Sequence, residues 1–207
     1  LIQAFKNNED IHRITAAEIF NTSIDAISNE QRRYAKVINF GLIYGMGPFS
    51  LAKNLNIERS AAQNYIERYF TQYPSVKKYM ADAKQIAREK GFVETHFGRR
   101  KWLPEINGSN GIMRAAAERA AINGPMQGTA ADLIKLAMIE VHNWIEKEPN
   151  TKGKMIMQVH DELVFEVPDN EVETFKKIIP KLMEKVASLS VPLIVDIGEG
   201  HNWEQAH

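Results

Sequence analysis

The 207-residue sequence contains no cysteine, which excludes disulfide staples and thiolate metal sites and suits a reducing compartment. No apolar run approaches the roughly 18 residues that a membrane-spanning helix needs, so no membrane partner is expected. No secretory leader is recognised. Glycine and proline, 12 and 8 in number, are scattered, which leaves no low-complexity linker, and no segment repeats. Net charge is lacking as well, since 26 Lys+Arg balance 26 Asp+Glu. That zero hides a gradient. Residues 1–148 carry 20 basic against 16 acidic side chains, a balance of +4, and residues 149–207 carry 6 against 10, a balance of −4. A basic part suits a polyanion and an acidic part suits cations. What remains is a chain that is 44% hydrophobic, long enough for one good core or two smaller ones.

The pattern is mostly helical. "LIQAFKNNEDIH" opens on apolar residues at helical spacing with neither Met nor cap, as the tail of an element that starts upstream, so a piece of a longer polypeptide is expected. Asp10 predicts a helix through about Phe20. Ser28 with Gln31 is a capping box for a helix ending near Gly45 and Gly47. Further helices are expected from Pro48 to Leu55, from a Ser60 cap to Tyr73, and from Pro74 to Lys90, where Gly91 stops the run. "FVETHFGRRKWLP" reads as a hairpin turning at Gly98. A long Ala-rich helix from Asn110 or Gly111 to about Lys147 should bend or break at Gly124–Pro125. "KMIMQVHDELVFEVP" reads as two strands about a tight His160–Asp161–Glu162 turn. Asp169 should cap a helix to about Ser188, and "VPLIVDIG" should be a last strand. The expected fold is α+β and mostly helical, with an α-rich part over 1–107 and an α+β part over 108–207 that holds a long bent helix and a small antiparallel sheet.

Three constellations carry chemistry. In the helix of "QRRYAKVINFGLIYG", Arg32, Lys36, Phe40 and Tyr44 fall four apart on one slanting row, about 18 Å long at 1.5 Å per residue. Two cations at one end suit phosphates, and two aromatic rings at the other suit a base and sugar, which is the outline of a nucleoside triphosphate. Asp161, at a turn between two apolar strands, is a fixed yet exposed carboxylate of the kind that binds Mg²⁺. Arg119, Asn123 and Gln127 recur at i, i+4 and i+8, and can donate to purine N3 and pyrimidine O2, the acceptors present in the minor groove at every base pair. Each pattern also has a plain reading: a solvated face beside core aromatics, a polar turn, and capping of a helix break.

The motifs "RRYAKVINFGLIYG" and "QVHDELVFEV", with "RAAAERAAINGPMQGTAADLIK" between them and "NWEQAH" at the end, resemble the fingers helix, palm hairpin, palm helix and tail of family A DNA polymerases, the bacterial DNA polymerase I group. The likeness runs along essentially the whole chain. It implies DNA-templated DNA synthesis, by attack of a primer 3′-hydroxyl on the α-phosphorus of a dNTP with two Mg²⁺ ions assisting. It implies a fingers subdomain over 1–107 and the C-terminal part of the palm over 108–207. Arg32, Lys36 and His12 would hold the triphosphate, with Lys36 also a proton donor to leaving pyrophosphate. Phe40 would pack on the incoming sugar and base, and Tyr44 would stand where the template base stacks. Asp161 would bind the metals with Glu162 behind it. Gln158, His160, Arg119, Asn123 and Gln127 would hold the primer end and minor groove. The implied partners are primer-template DNA and dNTPs, in a monomeric, cytoplasmic bacterial enzyme.

One departure is large. The family's other metal-binding aspartate lies on an earlier palm strand, in a DYSQIELR-like stretch, and no such stretch is present. The expectation is a chain that needs the missing N-terminal part of the same polypeptide and is inactive alone, with its hairpin lacking a neighbouring strand. Single-subunit RNA polymerases share the architecture but typically carry Met at the position of Phe40, which favours DNA synthesis. A non-catalytic nucleic-acid-binding module would be marked by loss of Asp161, Lys36 or Arg32, and all three are present.

Overall fold

The computed structural model describes residues 1–206. The chain is a mostly helical α+β protein. Its helices are α1 (Ile2–Lys6), α2 (Ile11–Phe20), α3 (Asn29–Ile43), α4 (Pro48–Leu55), α5 (Arg59–Gln72), α6 (Pro74–Lys90), α7 (Gly111–Lys147), α8 (Val172–Glu184) and α9 (Trp203–Ala206). Two antiparallel hairpins, β1 (Phe92–Glu94) with β2 (Arg100–Trp102) and β3 (Lys154–Val159) with β4 (Glu162–Glu166), are the paired strands among the described residues. Among those residues no helix is long and apolar enough to cross a membrane. Contacts group the chain into two compact units, Leu1–Gly128 and Thr129 onward, and α7 supplies residues to both.

In the first unit, Ile19 of α2, Ile38 and Leu42 of α3, Leu51 and Leu55 of α4 and Tyr69 of α5 form the main core. A second cluster joins Ala87 of α6, Val93 of β1, Leu103, Ile106, and Ala117 and Ala121 of α7. The second unit packs Val141 of α7 against Phe175 and Ile179 of α8, with Trp144 and Phe165 at its edge.

Most local signals act as expected. Asp10 caps α2 through the backbone N–H groups of His12 and Arg13. Gly91 ends α6 with φ +77°, a conformation open to glycine. The first hairpin turns at Gly98, with φ +82°. Asn110 Oδ1 accepts from the N–H groups of Ile112 and Met113 at the start of α7.

Four expectations are corrected. Ser60 does not cap α5, which starts at Arg59 after an N-cap at Glu58. Ile57 packs on the core there and fixes where the chain enters the helix. Asp169 opens a 3-10 turn, and α8 starts only at Val172 and ends at Glu184, not near Ser188. Glu184 turns back to accept the Val195 N–H at 3.0 Å. "VPLIVDIG" forms no strand: its β-branched residues favour extended backbone, but a strand needs a ladder, and among the described residues β3 and β4 pair only with each other. Finally, α7 is helical straight through Gly124–Pro125. Pro125 deprives the Ala121 carbonyl of a donor. Burial of Ala121 and Ile122 holds the helix together, and Tyr79 of α6 donates its hydroxyl to the Ile122 carbonyl at 2.8 Å in the same turn. Gly124 has a packing reason: a methyl group there would stand 3.0 Å from Val93 Cγ2. One at Gly128 would stand 2.6 Å from Thr95 Cγ2. The two glycines make a notch, four residues apart, on which the β1–β2 hairpin lies.

Candidate functional site

Helix α3 is set by its cap. Ser28 Oγ accepts the Gln31 N–H at 3.1 Å, and Gln31 Oε1 accepts the Ser28 N–H at 2.9 Å. Its buried face is Ala35, Ile38, Asn39, Gly41 and Leu42. The helical period then leaves Arg32, Lys36 and Phe40 toward solvent. Tyr44 is the residue that ends the helix, and its ring stacks on that of Phe40 at 6.5 Å and 24°. Phe40 and Tyr44 stay 47% and 42% exposed, so both keep a face for a ligand.

The cationic end is joined to α2. Arg32 Nε donates to Asp10 Oδ2 at 2.6 Å, while Asp10 Oδ1 caps α2. Burial works to raise the Asp10 pKa, but the Arg32 hydrogen bond and charge, with the backbone N–H groups of Arg13 and His12, outweigh it and hold the carboxyl below its ordinary value. His12 lies with its ring 5.6 Å from that of Phe40. Burial lowers its pKa first, the Arg32 and Lys36 charges lower it further, and Asp10 only partly opposes them.

A cavity of about 620 Å³ runs along this face, lined by Arg33, Lys36, Phe40, Tyr44, Gly45 and Arg119 among others. Gly45 is constrained twice. Its φ is +77°, and a Cβ there would meet Arg119 Cγ at 3.3 Å. The structure thus brings Arg119 of α7 to the aromatic end of the row. Because α7 is unbroken, Asn123 and Gln127 follow Arg119 on one helical face. Gln127 is exposed, and the Asn123 Oδ1 atom is buried without a hydrogen-bond partner.

The remaining sequence-predicted residues lie in the second unit. Val159 pairs with Glu162, so the loop between β3 and β4 is the two residues His160 and Asp161, and Glu162 is already strand. His160 takes φ +52°, and Gln158 Nε2 donates to its carbonyl at 2.5 Å. Asp161 is exposed at the tip. Among the described residues no group of three or more His, Cys, Asp or Glu forms a metal-holding cluster. Asp161 therefore offers one carboxylate and does not make a centre with its neighbours.

Sequence reasoning missed several contributors. Arg33 lines the cavity, although its place beside Arg32 set it off the row. Asp10 pairs with Arg32 as well as starting α2. Thr15 and Asn39 are polar side chains buried in helix interiors. A polar side chain on the apolar face of α3 is the signal that would have found Asn39.

A DNA polymerase family A profile matches residues 1–205. The chain is 54% identical over its full length to DNA polymerase I of Pseudomonas aeruginosa and 44% identical to that of Bacillus subtilis, and it spans 23% of each. A solved structure, described as the POL domain of Pol1 from M. smegmatis in complex with DNA primer-template and dNTP, superposes with a TM-score of 0.94 at 40% identity. That comparison covers all of this chain and 36% of the solved one. With its motifs, its fold and these likenesses in agreement, the chain belongs to DNA polymerase family A.

Proposed function

We propose that the chain forms the nucleotide-binding face, and part of the DNA- and metal-binding surface, of a DNA-templated DNA polymerase, with fingers over 1–107 and C-terminal palm over 108–207. The observation that carries this reading is the α3 row with its cavity: cations at one end, half-exposed stacked rings at the other. Arg32, Lys36 and His12 would take the triphosphate of a dNTP. Arg32 offers a fork of donors and Lys36 a mobile charge that can also pass a proton to departing pyrophosphate. Phe40 would pack on the sugar and base, and Tyr44 would stack with the template base. Arg119, Asn123 and Gln127, with Gln158 and His160, would hold the primer-template through contacts common to all base pairs.

Family membership implies divalent-metal use, and two Mg²⁺ ions in the complete site belong to this proposal. The residues present fit only part of such a centre. Asp161 would contribute one carboxylate, with Glu162 beside it. The described residues supply no cluster to complete it. The chain's own part is to bind and orient the nucleotide and template, and to keep a proton at Lys36 Nζ.

Calorimetric titration of a dNTP into the chain tests this. Binding that weakens with salt and with Lys36→Ala is expected. Binding that is indifferent to both would overturn the reading.

A further inference from the structure

Behind the exposed row lies a buried line of polar side chains. Thr15 is 0% exposed and Asn39 5%. In such a place every proton has to be accounted for. Tyr73, at the end of α5, donates its hydroxyl proton to Glu18 Oε2, and burial followed by the Glu18 bond pushes its pKa up, so that proton stays. Thr15 has one proton too. Its Oγ1 lies 2.8 Å from the Ile11 carbonyl and 3.3 Å from Asn39 Oδ1, and the shorter contact takes it. Thr15 Oγ1 is then an acceptor, with Asn39 Nδ2 at 3.1 Å the donor that meets it. The Asn39 amide is thereby oriented. Its second hydrogen points along the 3.1 Å contact to His12 Nδ1. A nitrogen that accepts there carries no proton of its own, so the imidazole proton sits on Nε2.

We propose that Asn39, pinned by Thr15, is a positioning residue that holds His12 as a neutral imidazole with its proton on Nε2, ready to donate to an anionic ligand on the α3 row. The identity of that ligand, the triphosphate, rests on the function proposed above; the tautomer does not. The charged groups that face His12 are Asp10 at the start of α2 and Arg32 and Lys36 of α3, and Glu18 is reached only through Tyr73 and Thr15. Two of the three direct neighbours are cations and oppose protonation, in keeping with the direction in which the His12 pKa moves. The division of labour is physical. Arg32 and Lys36 meet the ligand's charge, and His12 adds one directed hydrogen bond without adding charge.

The test needs no ligand at first. Long-range ¹H–¹⁵N correlation on the chain labelled at histidine reads each tautomer, and His12→Gln assigns the signal. The expected result near neutral pH is the Nε2–H form. An Nδ1–H or doubly protonated His12 would overturn the proposal. Thr15→Val removes the acceptor that pins Asn39, so Nδ1–H should become populated, and Thr15→Ser should restore the original form. Asn39→Asp leaves only acceptors at this place, which draws a proton onto Nδ1 and raises the titration midpoint by about one pH unit or more, a tenfold gain in proton affinity. Tautomer and midpoint unchanged in both Thr15→Val and Asn39→Asp would also overturn it. Inorganic triphosphate binding supplies the second readout: a loss of about three- to tenfold in Thr15→Val, recovered in Thr15→Ser. A tautomer that shifts as expected while triphosphate affinity stays constant would remove His12 from the ligand face and overturn that half of the proposal.

Discussion

The α3 face and the β3–β4 tip rest on different kinds of support. Arg32 is tied to Asp10 and His12 to Asn39, while Gly45 lies against Arg119 where α3 and α7 line one cavity, so segments far apart in sequence support the row within the first unit. Asp161 stands on a two-residue loop, and among the described residues it belongs to no metal-holding group of three or more His, Cys, Asp or Glu. The difference follows from what each ligand demands. An extended anion can be met by a row of side chains on one helix, with neighbouring helices holding that row in place. A divalent cation needs several oxygen ligands from separated segments to converge.

The largest effect should come from the weaker support. In a longer polymerase that carries these residues, Asp161→Asn should lower primer extension about a thousandfold or more, since metal assistance is worth several kcal/mol. Binding of dNTP to the α3 face should be nearly unchanged. The 207-residue chain by itself should extend no primer at saturating Mg²⁺. Extension by the purified chain that disappears in its Asp161→Asn variant would reveal a second carboxylate and erase the contrast. Next in size, Lys36→Ala should weaken triphosphate binding about 10- to 100-fold, the value of a charge-assisted hydrogen bond, and flatten its salt dependence. An unchanged salt slope would show that Lys36 does not meet the phosphates.

The packing around the site can be broken as well. Gly128→Ala drives a methyl group against the branched Thr95 side chain and should cost about 1–3 kcal/mol in thermal or denaturant unfolding. Gly41→Ala should cost less, because the group it meets is the swinging thioether of Met46. Equal losses would mean that the notch on α7 is looser than its distances imply. Removing Asn123 or Gln127 should weaken primer-template use by about 0.5–1.5 kcal/mol each, alike for all sequences. A variant that changed preference for one base pair would contradict contact with the shared acceptors.

The smallest effect concerns pH. Burial tends to raise the Glu118 pKa, but Lys84 and Arg88 of α6 outweigh it, and the folded value lies below the ordinary one. Its stabilising contribution is therefore complete above the unfolded pKa near 4.5 and fades as pH falls through the lower folded value. Glu118→Gln should be slightly less stable at neutral pH and lose less on acidification, followed as Tm against pH. Parallel profiles would show the triad to be idle.

The elements with a mechanism in their own residues were legible. The Ser28–Gln31 box, the Pro74 start, the Gly91 stop and the Gly98 turn each act within a few residues, and each lies where the sequence put it. The errors fall where the deciding partner is distant. Nothing near Pro125 announces that Tyr79 and a buried Ala121 will keep α7 whole. Nothing in "VPLIVDIG" tells whether another strand will pair with it. The same holds for the candidate site. Period four found the row on α3, while Arg33, Asn39 and the double engagement of Asp10 depend on neighbours from α2 and α7.

Asp10 gives the row a threshold. One of its oxygens serves the end of α2 and the other already occupies Arg32. A small single anion that draws the guanidinium away leaves a carboxylate stranded beside it, and exchanges one pairing for another of equal charge. A chain of linked phosphates, bound as proposed, would escape that stalemate, because its next oxygens would reach Lys36 while the first shared Arg32. On the proposed function the pair would act as a valence filter, discounting chloride and lone phosphate against a ligand long enough to engage both cations at once.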